Sequence, residues 1–513
     1  MQNKIRWWPL GLIITLNICA TTLIWQFPED VRQFRIFKTI AVETLTLLLL
    51  FVWILFISRI KKKTRWQIAG ILCLALLICA TFFKVKEVSG DFMPILQFRW
   101  TSTAVADRSA PLSNARSTDD RNVNFIDSTI SYPQFLGARR DATVPDTKLM
   151  SNWREHPPRL LWKRPVGEAW SSFAVLGNYA VTQEQFGSDE AVTAYELTTG
   201  KIIWRHQYPA RFESVIGGVG PRATPTIDHA TVYSVGALGE LKCLDLKSGN
   251  EIWRENILEG TGAVAPEWGI AGSPLVLDSL LIVSVGDTTG NSLKAYNKRT
   301  GQRIWGGGTD KISYSSPLFA KIGAVEQVLI FAKGAVVGHS PKNGSVLWKF
   351  PWRKETEFTT QPIVLPEGKI FISTGYGAGC ALFQILQADG QFSAREIWRS
   401  NRLDAKFSSL ACHDGYVYGM DDGILACIDL ADGKRKWKRG RYGHGQLMLV
   451  GDLLLISSEN GEIALVETNP EKFTELGRMP VLEGKTWNNP ALAGSYLLVR
   501  NATEAACLQL TLQ

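Results

Sequence analysis

Ala194-Tyr195-Glu196-Leu197-Thr198-Thr199-Gly200-Lys201-Ile202-Ile203-Trp204 is a short grammar that the chain repeats. An alternating apolar run meets Thr-Gly, resumes, and closes on a tryptophan. The same order returns as Cys243-Leu244-Asp245-Leu246-Lys247-Ser248-Gly249 before Trp253 and as Ala295-Tyr296-Asn297-Lys298-Arg299-Thr300-Gly301 before Trp305. It returns again as His339-Ser340-Pro341-Lys342-Asn343-Gly344 before Trp348, then with Asp389-Gly390 before Trp398 and Asp432-Gly433 before Trp437. Each copy reads as two strands joined by a tight turn, with glycine supplying the positive φ that the turn demands. The tryptophan places a large flat apolar group at one fixed point of the second strand, where it can pack on the neighbouring repeat.

Copies spaced by about 40–50 residues and built from short strands mark a β-propeller, because one blade cannot bury its own faces and stacking does so. The closing positions are Trp162, Trp204, Trp253, Trp305, Trp348, Trp398 and Trp437, and a degenerate copy runs from Ile463-Ala464-Leu465-Val466 through Asn469-Pro470 to Leu476. Leu160-Leu161-Trp162-Lys163 has no preceding strands of its own. At the other end, Tyr496-Leu497-Leu498-Val499 and Ala506-Cys507-Leu508-Gln509-Leu510 have no closing strand. The two ends complete each other. The sequence therefore predicts an all-β, eight-bladed propeller over 132–513 whose last blade is shared between the N- and C-terminal ends, a closure that removes exposed edges.

The chain of 513 residues, with 45 % hydrophobic residues and 45 glycines, is too long for one ordinary core and too apolar for disorder. Its net charge of +8 invites a nucleic-acid reading, but residues 1–65 hold ten Lys/Arg against Glu29, Asp30 and Glu43. That leaves +1 for the remainder, so the basic excess belongs to the N-terminal region and no nucleic-acid partner is expected.

This region, residues 1–86, reads as a transmembrane anchor. Trp7–Trp25, Ile36–Ser58 and Trp66–Phe83 are apolar runs of bilayer length, with Glu43 the sole acid among them. Arg59-Ile60-Lys61-Lys62-Lys63-Thr64-Arg65 carries five positive charges in seven residues, and Lys4 and Arg6 lie at the N-terminus. The positive-inside rule places both in the cytoplasm and the loop Phe27–Arg35 on the far side. Everything after the third span is then delivered to the periplasm or cell exterior, with the chain integral to the cell (inner) membrane. A cleaved signal peptide fits poorly with two further spans, and a lipoprotein fits poorly with Ile18 before Cys19. Glu43, about two turns inside its span, reads as structural or interfacial rather than catalytic. Residues 87–131, with Thr101-Ser102-Thr103, Asp107-Arg108-Ser109 and Ser117-Thr118-Asp119-Asp120-Arg121, read as a polar linker, within which the more apolar segment Phe92–Trp100 is expected either to lie on the membrane surface or to dock on the propeller.

The Ala-x-Asp-x-x-Thr-Gly-x-x-x-Trp style of repeat resembles the pyrroloquinoline quinone repeat of quinoprotein alcohol dehydrogenases, of the outer-membrane assembly lipoprotein and of many bacterial proteins termed PQQ-binding-like. Tyr132-Pro133-Gln134-Phe135-Leu136-Gly137-Ala138-Arg139-Arg140-Asp141, followed by Leu160-Leu161-Trp162, resembles the opening segment of that last group. The match spans residues 132–513. It implies the propeller strongly and function weakly, because in the family the tryptophan docks blades and does not touch the quinone.

Aligning the blades on their inner strands gives a second periodic set: Trp170-Ser171-Ser172-Phe173, Arg222-Ala223-Thr224-Pro225, Ala271-Gly272-Ser273-Pro274, Tyr314-Ser315-Ser316-Pro317, Thr359-Thr360-Gln361-Pro362, Phe407-Ser408-Ser409-Leu410, His444-Gly445-Gln446-Leu447 and Trp487-Asn488-Asn489-Pro490. The third column is polar throughout, so its hydroxyls and amides are expected to ring one level of the channel. The first column varies and is rich in aromatics. One reading is a binding mouth made of Trp170, Arg222, Tyr314, Phe407, His444 and Trp487, with Glu267, Trp268 and Lys406 nearby. The other is a plug of aromatic side chains between blades.

Chemistry-bearing motifs are scarce. There is no Cys-Cys pair, no Cys-x-x-Cys-His, no Gly-x-Ser-x-Gly elbow and no phosphate loop, and the six histidines show no metal-ligand spacing, so no metal is expected. Cys243, Cys427 and Cys507 hold similar strand positions and read as buried thiols. Gly375-Tyr376-Gly377-Ala378-Gly379 reads as a blade turn. Two functions follow. The first is a membrane-tethered, non-catalytic propeller that binds a protein or envelope partner and needs no cofactor. The alternative implied by the resemblance is a quinoprotein oxidoreductase acting on an alcohol or sugar, with pyrroloquinoline quinone and calcium.

Overall fold

A computed structural model describes residues 5–26, 32–100, 129–214, 216–353 and 359–513. Two compact units emerge, 1–105 and 106–513.

The first unit holds helices α1 (Trp8–Gln26), α2 (Arg32–Val52) and α3 (Lys62–Phe82), with a π-helical turn, Trp53–Ile57, continuing α2. Each is long and apolar enough to cross a membrane. The π turn leaves main-chain groups unpaired inside the helix, and the basic end of the bundle satisfies them: Arg65 Nη1 donates to Leu55 O at 2.6 Å, and Arg6 N donates to Ser58 O at 3.0 Å. Trp53 Nε1 donates to Arg6 O at 3.0 Å on the same side. The linker expected over 87–131 begins differently. Strand β1 (Phe83–Val88) leaves α3 directly and pairs antiparallel with β2 (Pro94–Phe98). The apolar segment Phe92–Trp100 contains β2, whose alternation of Pro94, Leu96 and Phe98 against Ile95 and Gln97 is too short to read as a strand from sequence. Residues 101–128, the most polar part of that linker, and the loop 27–31 lie outside the described residues.

The second unit is the eight-bladed propeller. Blades 2 to 6 are four-stranded antiparallel sheets formed by Thr226–Asn256, Leu275–Gly307, Leu318–Pro351, Ile363–Ser400 and Ala411–Arg441. Blade 1 (Ala174–Pro209) and blade 7 (Gln446–Pro480) each gain a fifth, short strand, Ser131–Tyr132 and Thr143–Val144, beside their innermost strands. Blade 8 takes Ala491–Ala493, Tyr496–Arg500 and Glu504–Gln509 from the C-terminal end and Arg159–Pro165 from before blade 1. The shared closure is thus present as a hydrogen-bonded sheet, with Cys507 opposite Trp162.

The repeated tryptophans share one register. Each sits on the outermost strand opposite Ala194, Cys243, Ala295, Gly338, Leu382, Cys427 or Cys507, positions that are mostly small because the indole lies over them. A bulge of one residue follows in every one of the eight blades, the degenerate one included. It turns the outer strand and so aims the indole at the next blade. Six of the seven indoles donate to a carbonyl there: Trp162 to Leu197 O (2.8 Å), Trp204 to Leu246 O (2.7 Å), Trp253 to Lys298 O (3.0 Å), Trp305 to Pro341 O (2.9 Å), Trp398 to Leu430 O (2.9 Å) and Trp437 to Asn469 O (2.9 Å). Five of these rings also lie against the turn glycine of that blade, Gly200, Gly249, Gly301, Gly344 or Gly433, where a Cβ would come within 2.5–2.8 Å of the ring. The glycine is thus required twice, for its φ and for the close approach.

Trp348 departs from this pattern. Its Nε1 donates to Gln327 Oε1 of its own blade at 2.6 Å. The reason lies in blade 5, where Gly379–Ala388 and Gln391–Ser400 extend the outer hairpin to ten residues a strand, so that Asp389-Gly390 overshoots the indole. Phe383 of blade 5 meets it instead, 6.1 Å away edge-on, and stacks on Phe350 at 3.9 Å.

The eighth tryptophan position is Gly477, opposite Leu465. A Cβ there would stand 2.7 Å from Cβ of Trp153, whose side chain is buried in the core joining blades 7, 8 and 1. Trp153 comes from the segment preceding the shared strand and takes the vacant place. The C-terminal tail runs beside it, with Met150 N donating to Thr511 O at 2.9 Å and Gln513 N to Lys148 O at 3.0 Å.

Candidate functional site at the channel mouth

The third column of the aligned set lies at the start of the inner strand in blade 7 and two residues before it in the other blades, and it ties neighbouring blades together. Ser172 N donates to Thr224 Oγ1 (3.2 Å), Thr224 N to Ser273 Oγ (2.9 Å), Ser273 N to Ser316 Oγ (2.9 Å), Ser316 N to Gln361 Oε1 (3.2 Å) and Ser409 N to Gln446 Oε1 (2.8 Å). The main chain of one blade thus bonds the side chain of the next. Asn489 of blade 8 receives Ser172 Oγ on its carbonyl and Ser409 Oγ on its side chain. The polar level expected from sequence exists, but its groups are engaged around the circumference and do not point freely into the channel.

Below that level the channel is filled by the opening segment 131–144. Pro133 O accepts from Ile227 N of blade 2, and Thr143–Val144 pairs with Leu449–Val450 of blade 7. Between them Arg140, almost wholly buried, donates to Ser273 O and Pro274 O of blade 3, each at 2.9 Å, and to Gln134 Oε1 at 3.0 Å. Burial pushes its guanidinium down to about 9. Leu136, Arg140 and Ala142 hold positive φ of 59°, 57° and 57°. This chain path is therefore sharply folded and held by contacts with several blades.

Above the polar level stand the aromatic side chains of the first column. Trp170 and Trp487 are 5.2 Å apart, Phe407 and Trp487 4.7 Å, and Phe407 and His444 5.6 Å. Since Phe407 precedes blade 6 and Trp487 blade 8, their contact reaches past blade 7. Trp268 stacks on Tyr314 at 4.8 Å. The two groups are linked by the loop at Gly217-Gly218, which approaches Arg222 and Trp268 with its first glycine and Trp170 with its second. Arg222 donates to Gly217 O at 2.7 Å, to Gly218 O at 3.0 Å and to Gly220 O, and lies 4.5 Å over Phe212. Burial lowers it to about 10 although Glu190 opposes the shift.

Of the nine residues singled out from sequence, Trp170, Phe407, His444 and Trp487 form one cluster, and Arg222, Trp268 and Tyr314 a second. Lys406 joins the first cluster, with Nζ 5.9 Å over Phe407 and 4.6 Å over Tyr376. Glu267 is exposed beside Trp268. Three members were not anticipated. Lys485 Nζ lies 4.1 Å over Trp487 and 5.0 Å over Trp170. Glu459 accepts from Trp487 Nε1 at 2.9 Å and from His444 N at 3.0 Å. Tyr376 comes from the turn Gly375–Gly379. Lys485 and Trp487 lie in the connection between Pro480 and Ala491, outside any strand, so no periodicity marked Lys485.

The spacing of these rings bears on whether a planar quinone fits between them. Inserting one between two rings requires two van der Waals contacts, a separation of about 7 Å between ring planes. The mouth rings lie at contact with one another instead, so this level does not fit the cofactor. Three carboxylates, Asp404, Asp421 and Asp422, converge within 4.8 Å, but Asp421 is already paired with Arg435 and Lys438, each at 2.6 Å. This is an ion-pair knot of blade 6. Among the described residues all eight cysteines are free thiols, and burial pushes Cys243, Cys427 and Cys507 up to about 12.

The family described as outer membrane protein assembly factor BamB matches residues 188–439. The resemblance to the pyrroloquinoline quinone repeat is thereby shown. A curated relative, the outer membrane protein assembly factor BamB of Bordetella pertussis, is 22 % identical over 367 residues, covering 67 % of this chain and 84 % of that protein. Among solved structures, BamB from Moraxella catarrhalis superposes with a TM-score of 0.51 at 17 % identity, over 69 % of this chain and 99 % of that one. Quinohemoprotein alcohol dehydrogenase from Comamonas testosteroni superposes with a TM-score of 0.54 at 14 % identity, over 74 % and 81 %. At these identities the likeness to solved structures is one of fold.

Proposed function

We propose that the chain is a membrane-tethered, non-catalytic propeller that presents its channel mouth to a protein or other envelope partner. The observation that carries this reading is the contact of Trp487 with both Phe407 and Trp170, which fills the mouth with aromatic faces packed on the buried Lys406 and Lys485, with Arg222 beside them. Large rigid rings and cations are the side chains on which binding energy concentrates. The curated relative's name supports a partner that is itself an envelope protein. The basic segment Arg59–Arg65 supports an orientation with the N-terminus in the cytoplasm and the propeller in the periplasm.

Photo-crosslinking tests the reading. A benzophenone amino acid at exposed Glu267 is expected to capture a discrete partner in intact cells, whereas the same group at exposed Lys201 on the rim captures none. Equal capture at both positions refutes the mouth. Titration of the purified chain with pyrroloquinoline quinone and calcium, followed by absorbance and thermal stability, addresses the oxidoreductase alternative. Binding at tens of micromolar that raises stability would replace our reading with that one.

A further inference from the structure

β1 continues α3 without a break, Phe82 ending the helix and Phe83 opening the strand. The hairpin register sorts its side chains by chemistry. Phe83 stands opposite Phe98 and Val85 opposite Leu96, while Lys84 stands opposite Gln97. Successive strand residues point to opposite faces, so the first two pairs form an apolar face and the third lies on the other. Within its own unit, among the described residues, that apolar face is uncovered: Val85, Leu96 and Trp100 are 59 %, 60 % and 62 % exposed. Its rings pack edge-on, Phe82 with Trp100 at 4.9 Å and Phe83 with Phe98 at 4.9 Å, and so form one patch. An isolated two-stranded hairpin is marginal in water, and such a patch calls for a cover.

Its position indicates the cover. The patch continues the apolar surface of α3, and the hairpin's turn is fastened to the start of α2, with Asp91 2.9 Å from Arg32 Nε and Phe92 5.4 Å from Phe37. The hairpin therefore lies at the level where α2 begins and α3 ends. The last turn of α1 is there too, since Trp25 Nε1 donates to Thr39 Oγ1 at 3.1 Å and Arg32 lies 5.9 Å over the Trp25 ring. Rings and arginine gathered at the ends of apolar helices are the composition of a membrane–water boundary.

We propose that the hairpin is an interfacial membrane element, with Phe83, Val85, Leu96, Phe98 and Trp100 in the boundary between phospholipid headgroups and acyl chains and with Lys84 and Gln97 facing water. The inference rests on α1–α3 as membrane spans. In this role the hairpin adds an in-plane contact to the three spans and fixes the height at which the chain leaves the bilayer.

The test uses the full chain in phospholipid nanodiscs, with Cys19, Cys73, Cys79 and Cys412 replaced by serine. An environment-sensitive fluorophore is attached at Leu96→Cys, at Gln97→Cys or, as a reference within α3, at Leu74→Cys. Lipids bearing a nitroxide near the headgroup are expected to quench the Leu96→Cys label several-fold more than the Gln97→Cys label, iodide in the buffer is expected to do the reverse, and lipids bearing the nitroxide at mid-chain are expected to quench the Leu74→Cys label, which lies near the centre of α3. Strong lipid quenching at Leu74→Cys with none at Leu96→Cys overturns the hairpin inference and leaves the tether standing. Absence of lipid quenching at Leu74→Cys overturns the tether and the inference together. Equal lipid quenching at Leu96→Cys and Gln97→Cys overturns the two-faced hairpin.

Discussion

The place of Trp153 predicts an unusual rescue. In six blades the tryptophan of one outer strand bonds a carbonyl at the end of the third strand of the next blade, beside the turn that follows. Blade 7 faces blade 8, whose third strand, Glu504–Gln509, ends near the chain terminus, while its fourth strand comes from residues 159–165. There is no turn there on which a tryptophan of blade 7 could dock. Gly477 vacates the site, and Trp153 enters from the segment paired with the C-terminal tail.

Trp153→Ala removes a buried indole and should cost about 3–5 kcal/mol. Gly477→Trp alone cannot be accommodated, because its Cβ would stand 2.7 Å from Cβ and 3.0 Å from Cε3 of Trp153. Overpacking of that kind costs about 1–3 kcal/mol or more. Combined, the second indole enters the space left by the first, with Leu510 O at the place of the carbonyl acceptors used elsewhere. The coupling should recover up to about 3 kcal/mol relative to the sum of the single changes. Melting of the detergent-solubilised chain reads this out: at about 2 cal/mol/K of unfolding entropy per residue, 1 kcal/mol shifts Tm by roughly 1 °C for a propeller of this length. Trp153→Ala should lower Tm by several degrees, and the double variant should melt above the less stable single. A double variant at or below the sum of the two losses refutes the shared slot.

Three further outcomes are expected. Gly249 (φ 70°) and Gly390 (φ 76°) are both left-handed turn glycines, but a Cβ at the first would lie 2.5 Å from the Trp204 ring and at the second would meet nothing within 4 Å; Gly249→Ala should therefore lower Tm clearly more than Gly390→Ala, and equal effects would show that φ strain alone matters. Burial, with Asp422 and Asp421 adding to it, pushes Asp404 up to about 7, well above its ordinary value of 3.8. Because the folded state holds that proton more tightly, this contribution to stability is full below about pH 4 and lost as pH rises through 7, so Asp404→Asn should raise Tm at pH 8 by an amount worth at most about 4 kcal/mol and give no gain at pH 4; a gain that does not change with pH contradicts the assignment. A reporter active only in the periplasm should be silent when fused after Arg65 and active after Asp107, and the opposite pattern reverses the orientation.

The blade count and closure were legible because their signals are local. A turn glycine and a tryptophan four residues later sit on one hairpin, and both obey constraints that any reader of the chain can apply. What was not legible depends on partners far apart in sequence. Trp153 has no repeat to mark it, and its counterpart Gly477 reads only as a missing residue. The bulge beside each tryptophan falls on Leu161, Ile203, Ile252, Ile304, Leu347, Ile397 or Lys436, and because an apolar residue there is also what an unbroken strand would carry, the bulge does not announce itself. At the mouth, the first column was visible as variation at an equivalent position, whereas Glu459 and Tyr376 come from turns that the column alignment passes over. Trp348 shows the limit of the repeat itself: the same motif yields a different contact when the next blade's hairpin is longer.

The polar third column explains why the first is free to vary. Beyond the short strands added in blades 1 and 7, the innermost strand of a blade has no further strand inside it, so its main-chain groups would face the channel unpaired, at a cost of about 1–3 kcal/mol each where buried. The segment 131–144 pairs with the inner strands of blades 1 and 7 at their far ends, and at the near end side-chain oxygens from successive blades accept the N–H groups of Ser172, Thr224, Ser273, Ser316 and Ser409. That duty admits Ser, Thr, Gln or Asn, and those are the residues present. One step outward the fold imposes no such demand, and the chain places Trp170, Arg222, Tyr314, Phe407, His444 and Trp487 there. A plug would be served by any apolar residues of suitable volume; here the aromatic rings are faced by the buried Lys406 and Lys485 and Trp487 is bonded by Glu459, a charged filling that motivates the proposed binding mouth and that the crosslinking at Glu267 tests.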